Sequence, residues 1–310
     1  MRVCYMRSMA NALPAVALAA VPGRRRATLD LAREIERRGF SGIYCPSFGD
    51  GLGLCEAIAL ATDRIAFGTA ISIVYMRHPA EYAQTTALVH ELAPGRFRFG
   101  IGVSHVPVHE RLGVRAGKPV ADTRAFVAGW RGTPRVGAQP PLVLAALRDP
   151  MVALAGELAD GVVFANAACS YMAHSLAALP AAKRDDSAFF VGNMIPTCIA
   201  DDPAEAAAVN RRTLSGYVTL PNYRAYWKAA GYVEEMEAVE AALQRGDRDA
   251  IPHALSDRWL ADTTLFGPPA AIRDGVERWR AAGVRTLILV PSSARGNQMQ
   301  AFAELFAAFE

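Results

Sequence analysis

The chain has 310 residues, 52% of them hydrophobic and 20% charged; that composition excludes a disordered chain and allows one large core or two modest ones. Its 33 basic and 30 acidic residues leave a net charge of +3, too even for a nucleic-acid surface, and no basic stripe stands out. Length alone does not choose between two domains of about 150 residues and one α/β barrel of about 250.

From the amino terminus, residues 10–21 form an apolar stretch behind Arg2 and Arg7, the outline of a secretory leader. Its alanine-rich composition, the interruption at Pro14 and the helix that begins almost at once argue against that reading. The chain then shows a rhythm of short apolar runs, each introduced by a turn residue and followed by a helix-period segment, which is β/α alternation. The predicted strands are Arg2–Arg7, Gly42–Pro46, Arg64–Ile71, Arg96–Gly102, Leu142–Ala146, Gly161–Ala165, Phe189–Ile199 and Arg285–Val290. Runs such as Val162-Val163-Phe164 are continuously apolar, as strands covered on both faces of a parallel sheet are.

The first predicted helix carries Ala27, Leu31, Ala32 and Ile35 on one face and stops at Gly39, with Arg24-Arg25-Arg26 as its solvated opening turn. Pro79 opens another that ends before Pro94-Gly95, and Pro268-Pro269 opens one that runs to Gly283. From about Asp201 to Thr264 there are helical pieces and no strand, which marks an insertion between the seventh and eighth strands. Within it, Tyr223, Tyr226 and Trp227 share one helix face beside Tyr217 and Tyr232; this reads as a packing surface, with a substrate pocket as the alternative. Eight β/α units and one helical insertion point to a single (β/α)8 TIM barrel spanning residues 1–310, of the α/β class. No later window approaches the roughly 18 uninterrupted apolar residues of a membrane span. Five cysteines, with no CxxC pair and no metal-ligand spacing, fit a reduced cytoplasm.

In a parallel barrel the chemistry belongs to the loops at the carboxyl ends of the strands. The turn Gly49-Asp50-Gly51-Leu52-Gly53 lacks the GxGxxG spacing of a dinucleotide fingerprint. The last loop, Ser292–Asn297, suits either a phosphate or an ordinary helix cap. Among the histidines, His78 before Pro79 reads as a cap, His90 as structural, and His109 with Glu110 as a surface pair. His105, just beyond the strand ending Gly100-Ile101-Gly102, is placed for proton transfer at a bound ring. HExxH, clustered carboxylates and GxSxG are all absent from the sequence, so the pattern suits an enzyme whose cofactor supplies the reactivity.

The segments Gly39 to Tyr44, Asp63 to Ala70, Arg77-His78-Pro79-Ala80 and Leu92 to Gly102 resemble the bacterial luciferase-like superfamily. Pro141 to Leu147, Ala155 to Gly161 and Phe266 to Val284 agree with its central and carboxyl-terminal motifs. The resemblance implies a barrel using either FMN with oxygen, as monooxygenases do, or the deazaflavin coenzyme F420 for hydride transfer. The Gly100 to His105 segment is more similar to the F420-dependent branch. In that family a non-prolyl cis peptide ends the third strand, which by position is Ala70-Ile71 here. The resemblance also places cofactor contacts at Ala70, Ile71, Gly102, Val103, Ser104, Ala145, Ala146, Leu147 and Asn166, and implies a homodimer through helices flanking the early strands.

There are two departures from the family pattern: the region Lys118 to Pro140 is shorter than the family's usual span, and the second bears on proton transfer. Where the deazaflavin dehydrogenases and reductases of the family carry an Asp-His pair after the second strand, this chain has Ser47 and Phe48. Phe48 can stack on a ring or substrate but cannot move a proton, so these two are expected as substrate contacts. The expectation is therefore an F420-dependent oxidoreductase acting on a small organic substrate, with His105 as its proton donor or acceptor. The alternatives are an FMN-dependent monooxygenase and a flavin-binding barrel without turnover.

Overall fold

The fold is known from a computed structural model, which describes residues 12–310. Its strands are β1 (Ala15–Ala17), β2 (Gly42–Cys45), β3 (Ala66–Thr69), β4 (Ser72–Ile73) and β5 (Phe97–Gly102), followed by β6 (Leu142–Ala145), β7 (Gly161–Ala165), β8 (Phe190–Ile199), β9 (Leu265–Gly267) and β10 (Thr286–Ser292). Eight of them form a closed parallel ring in the order β1-β2-β3-β5-β6-β7-β8-β10, sealed where β10 pairs with both β8 and β1. The short β4 pairs with β5, and β9 extends the sheet beside the upper end of β8.

The expected first strand, Arg2–Arg7, lies outside the described residues. The first barrel strand described is Ala15–Ala17, inside the apolar stretch that resembles a leader. Alanine is a poor strand former, and here tertiary packing overrides propensity. Ala15 and Ala17 face a lumen already filled by Tyr44, Phe190 and Ile288, while Val16 and Leu18 pack outward against the helices. The seven other expected strands are present with ends shifted by no more than two residues. The region between β8 and β9 is helical throughout: Pro203–Ser215, Pro221–Ala229, Val233–Arg245, Ile251–Ala254 and Asp257–Thr263.

The lower barrel is filled by large groups. Phe190, the first residue of β8, lies 5.5 Å from the Tyr44 ring, and the Arg98 guanidinium near the start of β5 sits 5.4 Å over it. Towards the carboxyl ends the lumen-facing residues become small: Ala70, Ala145, Gly100 and Gly102. The seam between β3 and β5 explains one of these glycines. Thr69 Oγ1 donates to the Gly100 carbonyl at 2.6 Å and accepts from the Gly100 N–H at 3.0 Å, and a Cβ on Gly100 would be driven into the Thr69 carbonyl. No helix among the described residues is long and apolar enough to cross a membrane. Cys45, Cys55, Cys169 and Cys198 are free and buried, and Cys4 lies outside the described residues.

Thr69→Val keeps the volume and leaves both Gly100 groups without their partner. It is expected to lower unfolding stability by about 1–3 kcal/mol, measurable by chemical denaturation. A loss below about 0.5 kcal/mol would show that the ladder, and not the threonine hydroxyl, holds this seam.

Candidate active site

The mouth of the ring is floored by an apolar ledge. Ile71, Ala145, Met194 and Val290 are half-buried and pack on the lumen cluster, so one face of each remains open. Gly102 closes onto them: a Cβ there would lie 3.0 Å from Ala145 Cβ and 3.2 Å from Ile71 Cδ1. The Ala70-Ile71 peptide is cis, at the position implied by the resemblance. The Ala70 N–H donates to the Cys45 carbonyl at 2.8 Å, which holds β3 and β2 together at the rim.

Beyond β5 the chain makes a left-handed step at Ser104, with φ 61°, before the helix Val106–Leu112 begins. Only three non-glycine residues among those described have positive φ, and two, Ser104 and Asn166, stand at neighbouring parts of the mouth. Such backbone persists where surrounding contacts over-determine it. Here His109, one turn into the helix, reaches back to the Val103 carbonyl at 2.5 Å. A carbonyl only accepts, so Nε2 carries the proton. The Tyr75 ring meets His109 edge-on at 5.2 Å, and its hydroxyl donates to Asp122 Oδ2 at 2.5 Å. His109 is thus a support of the loop and not a surface partner of Glu110.

His105 occupies the cap position of that helix, but its side chain makes no capping hydrogen bond. Its ring is half-buried and lies 5.5 Å from the Tyr223 ring. Burial, and after it the neighbouring His109, lowers its pKa from the ordinary imidazole value, so the ring is neutral at pH 7.

The insertion forms the opposite wall. Trp227 Nε1 donates to the Asn166 carbonyl at 3.2 Å, the Tyr226 hydroxyl accepts from the Ala168 N–H at 3.2 Å, and Asp262 accepts from Ser170. Tyr223, Tyr226 and Trp227 are buried, so the shared helix face is the packing surface that its spacing predicts. Tyr217 is half-buried and meets Tyr223 edge-on at 5.2 Å. The side chain of Asn166, 4% exposed, lies beside both tyrosine hydroxyls, yet its Nδ2 completes no hydrogen bond of normal geometry. Burial pushes the pKa of both phenols up, and each stays protonated.

Among the expected site residues, Ile71, Gly102 and Ala145 meet directly at the ledge. His105 and Asn166 are joined through Tyr223. Val103 and Leu147 are half-buried beside the main core. Ala146 is turned into the helix layer, and its N–H is committed to the Val163 carbonyl at 3.0 Å. Ser47 and Phe48 stand exposed after β2 and share no described contact with the others. Phe48 (68% exposed), Met76 (52%) and Val106 (63%) lie on the loops after β2, β4 and β5, an apolar rim on neighbouring strands. Asp50 caps the helix Gly51–Ala61, so a carboxylate fills the glycine-rich turn. In the last loop Ser293 and Arg295 both bond to Glu304, and Asn297 caps the helix Gln298–Ala308; these groups serve the helix. Met194, Val290, His109 and Tyr217 line or support the mouth without having been expected there. Of these only Tyr217 carried a signal, its membership of the aromatic cluster.

An eight-stranded parallel barrel with an apolar ledge, a neutral imidazole and an orphaned amide at its mouth is built to hold a flat, largely apolar ring with a polar edge. Sequence comparison agrees: the profile of the luciferase-like monooxygenases matches residues 6–286, and the chain belongs to that family of flavin- and deazaflavin-type oxidoreductases. An uncharacterized protein of Mycobacterium tuberculosis is 25% identical, covering 87% of this chain and 91% of its own. The fold is similar to that of the coenzyme F420-dependent tetrahydromethanopterin reductase of Methanopyrus kandleri, with TM-score 0.74 and 17% identity over 95% of this chain and 98% of that one. An F420-dependent secondary alcohol dehydrogenase gives 0.71 at 16% identity, covering 97% and 99%. The oxygenating constituent of 3,6-diketocamphane monooxygenase from Pseudomonas putida, in complex with FMN, gives 0.58 at 15%, covering 96% of each chain.

The left-handed step at Ser104 predicts a sharp side-chain dependence. Ser104→Gly is expected to fold at least as stably as the parent, and Ser104→Val to lose about 1–3 kcal/mol, because a β-branched residue resists positive φ. Thermal unfolding of the pair checks this; equal midpoints would mean the loop does not hold that conformation.

Proposed function

We propose that the protein is a coenzyme F420-dependent oxidoreductase, working as one barrel domain on a small organic substrate. What carries this reading is the ledge where the half-buried Ile71 and Ala145 meet Gly102, with the neutral His105 just beyond the end of the same strand. The likeness of the Gly100 to His105 segment to the deazaflavin branch supports the same choice. The family's name as monooxygenases keeps FMN with oxygen as the second reading.

When bound, the deazaflavin supplies the carbon that gives or takes the hydride. Ala70, Ile71, Gly102 and Ala145 form the surface under its ring, and Val103, Ser104, Ala146 and Leu147 the adjoining backbone, with Ala146 acting through its position in the strand end. Asn166 Nδ2 is a free donor for the polar edge of the ring. His105 moves the proton at the substrate oxygen: neutral at pH 7, it accepts from a hydroxyl, and once protonated it returns that proton to a carbonyl oxygen. Ser47 and Phe48 on the far rim contact the body of the substrate. The exposed Leu60, Leu88 and Leu92 on the helices Gly51–Ala61 and Pro79–Leu92 support a homodimer through this face.

The deciding experiment is a fluorescence-quenching titration with F420 and, separately, with FMN, each oxidised and reduced. Micromolar or tighter binding of the deazaflavin alone is the expected result; preference for reduced FMN would move the mechanism to oxygen, and binding of neither would overturn both readings. His105→Ala is expected to keep cofactor affinity and to lower turnover by about 10²–10⁴-fold. Because burial lowers its pKa, oxidation of an alcohol by the parent should hold through neutral pH and fall only on the acid side of the ordinary imidazole range, as the ring takes up a proton. Unchanged turnover in the variant would remove His105 from the mechanism. Light scattering should give twice the chain mass, and Leu60→Glu with Leu88→Glu should give the monomer; a monomeric parent would overturn the dimer.

A further inference from the structure

The wall that the insertion builds has more polar chemistry than packing requires. The Tyr217 and Tyr223 hydroxyls have each other and the Asn166 carboxamide as their polar neighbours. The Asn166 Nδ2 is buried without a hydrogen bond, and the His105 ring lies against Tyr223 with no capping role. Buried polar groups in folded proteins find partners, so the Asn166 donor that lacks one, beside two phenols and an imidazole, is matched by a ligand.

We propose that the face formed by His105, Tyr217, Tyr223 and Asn166 binds the uncharged oxygen of the substrate, a carbonyl or hydroxyl, and thereby selects ketones, aldehydes or alcohols over acids and phosphates. This rests on the reading of the mouth as the reaction site and names its substrate class. All four groups are neutral at pH 7, and each offers at least one N–H or O–H bond. The cations of the same helix are turned away: Lys228 donates to Glu240 Oε2 at 2.7 Å and Arg224 to Glu240 Oε1 at 3.2 Å. An anionic substrate would therefore lose its hydration at this face without gaining a counter-charge. A neutral oxygen needs only the donors present. Asn166 Nδ2 carries two N–H bonds, enough to address both the polar edge of the cofactor and this oxygen. His105 is then the group that exchanges the proton, while Tyr217 and Tyr223 fix where the oxygen sits.

The test uses the full chain, saturated with whichever of F420 or FMN it binds, and two probes of similar size: cyclohexanone and cyclohexanecarboxylate. Binding is read by saturation-transfer NMR on the probe protons, which does not depend on turnover. The expected result is that the ketone binds at least tenfold more tightly than the carboxylate, and that Tyr217→Phe and Tyr223→Phe each weaken the ketone by about 3- to 10-fold. Circular dichroism verifies that each variant is folded, and the half-buried Tyr217 gives the variant with least effect on packing. Carboxylate binding as tight as ketone binding, or ketone binding unchanged in both variants, would overturn the proposal. A ketone preference that survives in a protein binding neither cofactor would keep this site and overturn the function proposed above. Cofactor binding without that preference would do the reverse.

Discussion

Everything at the mouth depends on closing the ring, and the closure runs through three residues. β1 must lie between β10 and β2, with Ala15 beside Ile288 and Val16 beside both Leu289 and Ile43. The lumen beside it already holds Tyr44 and Phe190, with Arg98 stacked on the latter. Interiors pack close to crystal density, so only small side chains fit on the inner face of this strand. A larger residue at Ala15 or Ala17 would force β1 outward, opening two strand edges at once. The clasp between Gln298 and both backbone groups of Ala19, at 3.2 and 3.3 Å, pins the same strand end to the last helix.

That constraint also explains what the sequence conceals. β7 and β10 are legible because their apolar runs, Val162 to Phe164 and Leu287 to Val290, follow turn residues and match parallel-sheet strands covered on both faces. β1 is not legible as a strand, because the alanines demanded by the filled lumen erase the β-branched signature by which strands are read. The barrel, its insertion and the strand-end position of His105 follow from local pattern. The left-handed residues Ser104 and Asn166 carry no such signal, since neither is glycine and their conformation is set by distant contacts: His109 on the carbonyl before Ser104, Trp227 on the carbonyl of Asn166. His109 shows the limit most clearly. Next to Glu110 in sequence it looks like half of a surface pair, and only the helix turn at Val106–Leu112 brings its ring back to Val103.

The insertion is attached at several points to the loop after β7, through Tyr226, Trp227 and Asp262, with Tyr232 donating to Asp262 from within the insertion. Most of its aromatic surface is consumed by that attachment, which accounts for four rings in mutual contact at 4.9 to 5.5 Å between Trp259, Trp227, Tyr223 and His105. A chain of packed rings transmits position well because dense packing leaves no slack. The proposed proton group on one strand-end loop is thereby held against a wall built from another part of the chain, and both are fixed before any ligand arrives.

The residues after β2 then have a geometric consequence for the proposed reading. Ser47 and Phe48 have no group that titrates near neutrality, so on the proposed reading proton transfer must come from elsewhere on the rim. His105 is separated from that loop in the ring by β3, and its ring lies against Tyr223, which in turn neighbours Tyr217 and Asn166. A reacting oxygen is drawn to where its proton can go. On that reading the substrate is turned so that its oxygen faces the insertion and its carbon body faces the exposed Phe48, Met76 and Val106. A polar wall on one side and an apolar rim on the other describe a small amphipathic molecule, with the exposed Phe48 on the side that meets its carbon body.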